Sequence, residues 1–475
     1  MASHRNSGES NPNLGGTHKN PPRHTASYRV HHRMLTVIAC IVIAVLAFAG
    51  TAAAAVWINL DSAVKSTKVD YVSQGDGDSE EVVDPNAGET ISFVIIGQDT
   101  RDGASGSITG DADENSDLHS ADTTMVAQIS ADRSYINLVS IPRDSIVSVP
   151  SCQTTNGTVP AQYNVMFNSI FARAYSVGGN LASAATCTVE AVNSLTGMDI
   201  KNFIVVDFAG LSSMVDALGG VDICLPTDIE DSNTNLDLKA GLNHMDGVTA
   251  TQYARMRHGT NTDGTDIMRT TRQQYLIKTI LREAISKNLF TQSAQLYQLA
   301  LAAIKSLNIS SGLADTSTLV GLAMSLVNLD TSHIYTQTVP VTTWSQDANR
   351  VVWADSADEV WEKMVKGEPL FDTATSVTAD ESSPSASSSA SASESASASA
   401  SSSASSSGDA DSKKDEGTYD ANTGLIVESD GTLIDPNTGG MVEADTGSII
   451  DLDTYQYIGI ADKYINYKFC GITEN

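Results

Sequence analysis

A stretch without a single charged side chain, from Met34 to Ile58, constrains this chain more than any other feature of its sequence. It is longer than the roughly 20 apolar residues that a helix needs to cross a bilayer. A cleaved signal peptide has a shorter apolar core, although the alanines from Ala52 to Ala55 resemble a small-residue cleavage site. We therefore predict one uncleaved transmembrane helix over residues 34–58.

The charges before this span predict its orientation. Only Glu9 opposes the basic residues there, which are Arg5, Lys19, Arg23, Arg29 and Arg33. An excess of bases keeps a flanking segment in the cytoplasm, so we expect a single-pass protein of the cytoplasmic membrane with its N-terminus inside and the rest extracellular. Subtracting these residues from the 28 bases and 57 acids of the whole chain leaves 23 bases and 56 acids outside, a net charge of about −33. That acidity argues against nucleic acid as a partner.

Composition divides the chain into six segments. Residues 1–33 show no apolar period, and a later stretch of almost pure serine and alanine cannot bury a core. The predicted order is a disordered cytoplasmic tail (1–33), the transmembrane helix (34–58), an acidic extracellular spacer (59–89), a folded catalytic domain with a helical extension (90–372), a flexible Ser/Ala-rich linker (373–417) and a C-terminal segment (418–475).

The C-terminal segment contains a short repeat. The sequence Asp420-Ala-Asn-Thr-Gly424 recurs as Asp435-Pro-Asn-Thr-Gly439, and Asp445-Thr-Gly447 repeats its end. Aspartates of this kind form Asx turns between short strands, which is the interpretation we favour. Calcium binding is the alternative, but no complete ligand pattern supports it.

Apolar runs rich in valine and isoleucine alternate with helical patterns in residues 90–372, which predicts a layered α/β domain. The predicted strands are 91–96, 124–129, 135–141, 203–206, 221–225 and 333–339. The predicted helices are 185–195, 208–218, 267–285, 296–307, 316–329 and 356–366.

The five cysteines fit an oxidising compartment. Cys40 lies in the predicted span, and the other four allow three pairings. We favour a disulfide between Cys152 and Cys187 because they flank one helical segment, and a pair of Cys224 with Cys470 then follows by elimination. Four free thiols are the alternative, and zinc is disfavoured because no C-x-x-C spacing occurs.

Two aspartates occupy positions where a sheet displays ligand groups. Asp99 follows the apolar strand at 91–96, and Asp122 opens the next strand. Carboxylates at adjacent strand ends can share one Mg²⁺ ion. Each aspartate alone is better explained as a turn residue or a helix cap, and only the arginines downstream favour a ligand role.

Arginines are concentrated downstream of these acids. Arg143 follows a strand that Pro142 ends, with a salt bridge to Asp144 as the alternative to a ligand contact. Arg255 and Arg257 share a face only in an extended backbone, so residues 254–258 should be strand-like if both serve one ligand.

The helix that follows carries a polar stripe. Arg269, Arg272 and Gln273 fall at i, i+3 and i+4, and a solvated helix face is the alternative explanation. From 254 to 274 there are four arginines, counting Arg255 and Arg257, against two aspartates. These aspartates, Asp263 and Asp266, can neutralise the arginines in part or cap the helix. Clustered guanidiniums beside paired carboxylates predict a bound phosphate and a divalent metal, and therefore phosphoryl transfer.

Other catalytic patterns are absent from the sequence. It has no Walker lysine loop, no G-x-S-x-G and no H-E-x-x-H motif. Residues 111–117 resemble the start of a calcium loop, but Ser116 replaces the required glycine. We interpret this stretch as an acidic surface loop.

The chain resembles the LytR-CpsA-Psr family of cell wall glycopolymer ligases, of actinobacterial type, over roughly residues 90–305. The resemblance rests on ordered sequence blocks, namely Gly97–Asp99, Ala121–Met125, Ser140–Asp144, Phe167–Ser169, Val206–Phe208, Val215–Gly220, Asp246-Gly247, Tyr253–His258, Asp263-Gly264 and Arg269–Gln274. It implies a three-layer α/β/α fold with a mixed central sheet and a deep apolar pocket for a polyprenyl chain. It also implies transfer of a phosphorylated glycan from polyprenyl pyrophosphate to peptidoglycan, with release of polyprenyl phosphate.

The resemblance also assigns roles to residues. Asp99 and Asp122 are expected to bind Mg²⁺ or Mn²⁺. The pyrophosphate is expected to contact Arg143, Arg255, Arg257 and Arg269, with Gln273 as a supporting donor and Asn168 at the position of the family's asparagine.

Two positions depart from the family's pattern. Ser120 stands where the family usually has an arginine, so that contact is lost or is supplied by Arg101 or a protonated His119. Met268 stands where a glycine usually precedes Arg269. These departures keep two other functions open: the same chemistry with a surface protein as acceptor, and a non-catalytic regulator that senses lipid-linked intermediates.

Overall fold

The computed structural model describes residues 23–75, 82–100, 105–106, 108, 119–260, 264–286, 293–371 and 417–473. The chain divides into two compact units, residues 1–59 and 60–475. The helices are α1 (Arg23–Ser66), α2 (Asn168–Gly178), α3 (Leu181–Thr196), α4 (Phe208–Leu218), α5 (Gly247–Arg255), α6 (Asp266–Ser286), α7 (Ser293–Lys305), α8 (Thr316–Ser325), α9 (Ala357–Lys366) and α10 (Asp462–Cys470).

The strands fall into a central sheet, several hairpins and a C-terminal sheet. They are β1 (Lys68–Val69), β2 (Ile91–Asp99), β3 (Ser120–Ile129), β4 (Ile136–Ile141), β5 (Ile146–Val149), β6 (Cys152–Thr154), β7 (Gly157–Val159), β8 (Gln162–Met166), β9 (Phe203–Val206), β10 (Val221–Leu225), β11 (Ile229–Asp231), β12 (Leu236–Leu238), β13 (Gly241–Met245), β14 (Leu307–Ser310), β15 (Ile334–Thr338), β16 (Val341–Trp344), β17 (Asp347–Trp353), β18 (Thr418–Asp420), β19 (Leu425–Val427), β20 (Leu433–Ile434), β21 (Met441–Val442), β22 (Ser448–Ile450) and β23 (Tyr457–Ile460).

Helix α1 contains the predicted membrane span. Its part from Arg33 to Ser66 is the one helix in the described part of the chain that is long and apolar enough to cross a membrane. The helix already begins at Arg23, so the prediction of a disordered tail is wrong for residues 23–33, while residues 1–22 lie outside the described residues. No glycine or proline occurs between Arg23 and Ala49, and a helix propagates readily through such a sequence once it is formed.

A seven-stranded mixed sheet forms the centre of the second unit, in the order β1-β14-β9-β2-β3-β4-β15. Strand β2 runs antiparallel to β3 and parallel to β9. Because side chains alternate along a strand, Val94 and Ile96 pack with α2, α3 and α9, whereas Phe93 and Ile95 face the cluster that includes α6 and α8. Helices therefore cover both faces, which confirms the predicted three-layer α/β/α fold.

Residues 59–89 differ from the predicted spacer. Ala63 and Val64, in the last turn of α1, are buried in the second unit, and Lys68 and Val69 pair in parallel with β14 as an edge strand. The acidic composition that suggested a spacer belongs mainly to residues 76–81, which lie outside the described residues. The apolar residues on either side of that stretch are stabilised by burying their side chains in the core.

The helix boundaries differ mainly after residue 290. The helix predicted over 296–307 ends at Lys305, because residues 307–310 form β14 between β1 and β9. The helix predicted over 316–329 ends at Ser325. Residues 254–258 are not strand-like as predicted, since Arg255 is the last residue of α5 and Met256 follows it as the C-cap.

The C-terminal segment folds onto the second unit as a six-stranded antiparallel sheet, β18–β23, followed by α10. The turn at Asp420 is an Asx turn as predicted, since Asp420 Oδ1 accepts a hydrogen bond from Asn422 N two residues on at 3.0 Å. In the repeat, Asp435 Oδ2 accepts a hydrogen bond from Thr438 N three residues on at 3.1 Å. Strand β23 packs against α6 and β15. Residues 372–416, which contain nearly all of the predicted linker, lie outside the described residues.

Both predicted disulfides are present. Cys152–Cys187 ties the β6–β7 hairpin to α3, and Cys224–Cys470 ties β10 to the end of α10. Cys40 is free and exposed on α1. The second bridge fixes the C-terminal sheet to the body of the unit across the undescribed linker.

Candidate functional site

A cavity of about 520 Å³ opens between the central sheet and helix α6. One end of it is charged and is lined by Asp99, Asp122, Arg143, Asp207, Arg255, Arg257 and Arg269, with Gln98, Thr123 and Gln273 beside them. The other end is lined by Phe93, Ile95, Ile204, Leu211, Met214, Leu276, Ile277, Ile280, Leu281 and Leu307. An amphiphilic molecule matches a cavity of this kind.

The charged and apolar ends arise because the side chains that face the cavity change character along strand β2 and along helix α6. Along β2 the residues at every second position face the cavity, and they change from Phe93 and Ile95 through Gly97 to Asp99. Along α6, Arg269 and Gln273 face the cavity near the helix start, and aliphatic residues follow at helical spacing. A strand and a helix thus run from polar to apolar in the same direction.

Gly97 is required by the close packing of β2 against β3. A Cβ atom at this position would lie 2.9 Å from Thr123 Cβ, which is closer than such atoms approach in proteins. Thr123 in turn donates a hydrogen bond from Oγ1 to Gln273 Oε1 at 2.9 Å. The glycine therefore lets the sheet and α6 approach each other at the charged end.

Asp122 is the centre of a buried ionic network. Arg143 Nη1 lies 2.8 Å from Asp122 Oδ2, and Arg269 Nη2 donates to the Asp122 backbone carbonyl at 3.0 Å. Asp266 is the first residue of α6, and its Oδ1 forms ion pairs with Arg269 Nη2 at 2.5 Å and with Arg143 Nε at 3.3 Å. Three elements far apart in sequence are thereby fixed around two guanidiniums.

The pKa shifts in this network have identifiable causes. Burial raises the pKa of Asp122, but the charges of Arg143 and Arg269 outweigh it and hold the pKa below its ordinary value. Burial raises the pKa of Asp266, against the influence of the same two arginines. Burial and repulsion from Arg143 and Arg269 lower the pKa of Arg257. An anion beside Arg257 would relieve that repulsion.

Arg255 and Arg257 both reach the cavity without an extended backbone. Arg255 ends α5 and places its guanidinium over the ring of Phe208, 4.8 Å from the ring centroid. Arg257 lies two residues further on, in the bend after the helix has ended. This bend brings its side chain to the same side as Arg255, which an extended strand would otherwise have done. The two arginines line one cavity as expected, by a different local geometry.

The polar stripe of α6 is buried rather than solvated. Arg269, Arg272 and Gln273 are each less than a tenth exposed. Arg272 Nη2 donates to the Met256 carbonyl at 2.6 Å, and Gln273 Nε2 donates to the Ala254 carbonyl at 3.0 Å. Arg272 is not among the cavity-lining residues; these bonds fix the segment that carries Arg255 and Arg257.

Three further predicted contacts have different outcomes. Asn168 starts α2 and donates its backbone N–H to the Arg143 carbonyl at 3.2 Å, and it is not among the residues that line the cavity. His119 stacks on Tyr175 at 3.7 Å between ring centroids and hydrogen bonds with Gln98 at 2.9 Å, so it borders the cavity through Gln98. Arg101 lies outside the described residues, as do residues 111–117 of the predicted acidic loop.

Ser120 fills part of the role of the missing arginine. Its hydroxyl donates to Asp122 Oδ1 at 3.3 Å, so it supports the carboxylate, although it carries no charge for a phosphate.

Sequence reasoning gave Asp207 and Phe208 no role of their own, although both lie in the block Val206–Phe208 that carries the family resemblance. Asp207 caps α4 by accepting from Gly210 N at 2.7 Å, accepts from Ser105 Oγ at 3.0 Å, and lines the cavity. The available signal was an aspartate between an apolar strand and a helix, the position at which both caps and ligand groups occur. Phe208 was not recognisable because its arginine partner is distant in sequence.

Asp99 and Asp122 are a suitable pair for Mg²⁺. They line the cavity from adjacent strands, with Asp99 opposite Ser120 in the β2–β3 register. Among the described residues no group of three or more His, Cys, Asp or Glu side chains is arranged to hold a metal. Mg²⁺ is commonly held by one or two carboxylates together with water and substrate phosphate, so this donor set fits it.

These features define an α/β protein with a cavity that is ionic at one end and apolar at the other. Residues 56–366 match the LytR_cpsA_psr family. The chain belongs to this family, which confirms the resemblance seen in the sequence.

Relatives cover part of the chain. The cell wall biosynthesis protein LcpA of Corynebacterium glutamicum is 27% identical over 294 residues, which is 58% of this chain and 55% of LcpA. The polyisoprenyl-teichoic acid–peptidoglycan teichoic acid transferase TagU of Enterococcus faecalis is 28% identical over 222 residues, 47% of this chain and 61% of TagU. This chain thus spans little more than half the length of these curated relatives.

Solved structures of the family are similar to part of the chain. A LytR-Csp2A-Psr enzyme from Actinomyces oris has a TM-score of 0.44 at 18% identity, covering 63% of this chain and 96% of its own. TagV of Bacillus subtilis has a TM-score of 0.43 at 19% identity, covering 58% of this chain and 96% of its own.

Proposed function

We propose that this protein is a phosphotransferase of the cell wall. It transfers a phosphorylated glycopolymer from a polyprenyl-pyrophosphate carrier to peptidoglycan and releases polyprenyl phosphate. The observation that carries this proposal is the cavity of about 520 Å³, whose walls change from guanidinium and carboxylate groups to aliphatic side chains. A ligand with an anionic head and an apolar tail would find guanidinium groups at one end and aliphatic side chains at the other.

The charged end suits a pyrophosphate. Guanidinium groups bind phosphate oxygens in a bidentate manner, and Arg255 and Arg257 present two of them from one short segment. Burial and repulsion from Arg143 and Arg269 lower the pKa of Arg257, and a bound dianion would relieve the repulsion. Arg143 and Arg269, paired with Asp122 and Asp266, keep this cationic surface in place.

The transfer is a displacement at phosphorus. A sugar hydroxyl of peptidoglycan attacks the phosphorus attached to the glycan, and the bond from that phosphorus to the oxygen of polyprenyl phosphate breaks. Asp99 and Asp122 would hold Mg²⁺, which neutralises charge on the phosphate oxygens. The arginines stabilise the developing charge on the leaving phosphate, and the cavity positions the reacting groups.

The proton of the attacking hydroxyl needs an acceptor. Asp122 is a weak base, because Arg143 and Arg269 hold its pKa below the ordinary value despite its burial. A general base works best when its pKa lies near the operating pH. The other carboxylates that line the cavity, Asp99 and Asp207, therefore remain as proton acceptors.

The membrane helix supplies the topology of the proposal. Basic residues dominate before the span, so we propose a cytoplasmic N-terminus and an extracellular catalytic unit. The carrier and the acceptor both lie on that side of the membrane. The name of the relative TagU, a polyisoprenyl-teichoic acid–peptidoglycan teichoic acid transferase, supports these substrate classes.

A direct assay tests the proposal. The full-length protein in nanodiscs is incubated with a polyprenyl-pyrophosphate glycan, Mg²⁺ and peptidoglycan fragments, and released polyprenyl phosphate is measured. We expect release that depends on Mg²⁺ and on an acceptor, with the label appearing on peptidoglycan. Label on a surface protein instead would show that the acceptor is a protein and not peptidoglycan. Tight binding of the donor without any release would support the regulator instead, as the loss of an arginine at Ser120 would suggest.

A further inference from the structure

Helix α8 has an exposed apolar stripe. Val320, Ala323 and Met324 recur at i, i+3 and i+4, and Val327 follows in the turn after the helix; all four are exposed, with Met324 at 56%. Side chains at this spacing share one face of a helix. The stripe is continuous along the helix, unlike scattered exposed aliphatics, which are ordinary on protein surfaces.

The opposite face of α8 is apolar as well. Leu319, Leu322 and Leu326 pack on the hydrophobic cluster beneath the helix. No charged residue occurs from Thr316 to Leu329. A helix that is hydrophobic on all sides requires an apolar environment on its outer face too, which water does not provide.

A short segment of chain connects the predicted membrane span to the cluster on which α8 packs. The uncharged stretch of α1 ends at Ile58, and Val64 is buried in the cluster on which α8 packs. Thr316 Oγ1 donates to Asp61 Oδ1 at 3.4 Å. Six residues of chain, from Ile58 to Val64, reach at most about 21 Å in any conformation.

The same cluster also forms the apolar end of the cavity. Ile95, Ile277, Leu281 and Leu307 line the cavity and belong to the cluster that α8 covers. Val82 extends the exposed surface, since Thr318 Oγ1 donates to the neighbouring Val83 carbonyl at 2.9 Å.

We propose that the outer face of α8, formed by Val320, Ala323 and Met324 and extended by Val327 in the turn that follows, inserts into the membrane that anchors the chain and turns the apolar end of the cavity towards the bilayer. The proposal rests on the membrane anchoring and the lipid donor proposed above. Acidic side chains at Asp84, Asp315 and Asp330 flank the surface. Insertion should therefore depend on apolar contact and should not require anionic lipids.

Lipid quenching tests the insertion. In a Cys40→Ala background, Met324→Cys is labelled with an environment-sensitive fluorophore and the full chain is placed in phosphatidylcholine nanodiscs. Val365→Cys is the matched control, because Val365 is 54% exposed on α9. We expect doxyl lipids to quench the label at 324 and aqueous iodide to quench the label at 365. Adding phosphatidylglycerol should leave both results unchanged.

Three outcomes would overturn the proposal. Iodide quenching at 324 equal to that at 365 would place the stripe in water. Protection at 324 from both quenchers would mean that protein covers it, and a dependence of that protection on protein concentration would identify a second copy. Quenching at 324 only when anionic lipid is present would contradict the apolar mechanism.

An activity assay separates this proposal from the proposed function. Val320→Asp with Met324→Asp should lower turnover of a long-chain donor embedded in the same nanodisc about tenfold, as expected for losing the burial of an aliphatic side chain. Turnover of a short-chain donor in solution should not change, and neither should the melting temperature. No turnover of either donor by the unmodified protein would refute the transferase while leaving the quenching result valid. Equal turnover of both donors by the variant would refute the membrane contact.

Discussion

The guanidinium of Arg143 lies 2.8 Å from the carboxylate of Asp122 and joins the segment after β4 to strand β3 at the charged end of the cavity. The same guanidinium also reaches Asp266 on α6. It therefore holds three elements together as well as facing the cavity.

Arg143→Ala should reduce both stability and activity. The substitution leaves Asp122 and Asp266 buried without one of their cations, at a cost of about 3 kcal/mol in the free energy of unfolding. Urea denaturation measures this. Arg350→Ala is the control, because Arg350 pairs with Asp144 in a more exposed position, and it should cost about 1 kcal/mol. An equal effect of the two substitutions would contradict the central role of Arg143.

Arg255→Ala and Arg257→Ala should abolish turnover while the melting temperature stays nearly constant. Loss of one group that stabilises the transition state costs about 10²- to 10³-fold in rate. Repulsion by its neighbours already disfavours the charge of Arg257, so its removal should cost little stability. Arg173→Ala, an exposed arginine of α2, should change neither quantity. Lower stability with unchanged turnover per folded molecule would instead make these arginines structural.

Ile277→Trp should fill the apolar end of the cavity. We expect kcat/KM for a long-chain donor to fall about tenfold or more, while a short-chain donor is still used, because the charged end is untouched. Ile277→Leu keeps the volume and serves as the control. Equal losses for both chain lengths would show that the prenyl chain lies elsewhere.

Asp462→Asn should lower stability in a manner that depends on pH. Asp462 is buried against Lys278 and Arg282 on the side of α6 that faces the C-terminal sheet, at 3.2 and 2.6 Å. Burial raises the pKa of Asp462, but the two cations outweigh it and the pKa lies well below its ordinary value. Such a carboxylate contributes stability above the unfolded pKa of about 3.9 and loses that contribution as pH falls towards the folded pKa.

The substitution should therefore cost about 3 kcal/mol at pH 7 and clearly less at pH 3. Urea midpoints of both proteins at the two pH values measure the difference. Asp237→Asn is the control, since Asp237 is exposed and pairs only with a surface lysine, and should cost less than about 1 kcal/mol. A cost that is the same at both pH values would exclude the ionic explanation.

Cys470→Ala should destabilise the protein by detaching the C-terminal sheet. The bridge to Cys224 closes a loop of 246 residues, which corresponds to about 5 kcal/mol in the chain-entropy model. Limited proteolysis should then release the segment after residue 417. Cys187→Ala breaks the other bridge, whose separation is 35 residues, and should leave the C-terminal sheet attached. Equal protease resistance of both variants would contradict this division of roles.

Several elements were predictable because their signals are local. Helix α4 is one, since Asp207 caps its start and Gly219, with φ of 83°, ends it in the left-handed conformation. The strands of the central sheet follow from runs of valine and isoleucine. The cationic residues of the cavity were recognisable because arginines cluster in a short part of an acidic chain.

Other features have no local signal. Arg272 and Gln273 resemble a solvated stripe, yet they are buried because the segment carrying Arg255 and Arg257 packs on them and uses their donors. Residues 68–69 became an edge strand because β14 offered backbone partners, which composition does not reveal. The role of Asp462 depends on a segment that returns to the core from the far side of the linker.

The sequence alone determined the membrane helix, the α/β class, the family and the set of charged residues, because charge, periodicity and motif order are properties of neighbouring residues. Only the tertiary structure decided which arginines face the cavity, which are used to hold other segments, and where the apolar wall and the C-terminal sheet meet α6. These depend on contacts between residues hundreds of positions apart, whose energies are realised only when the chain is folded.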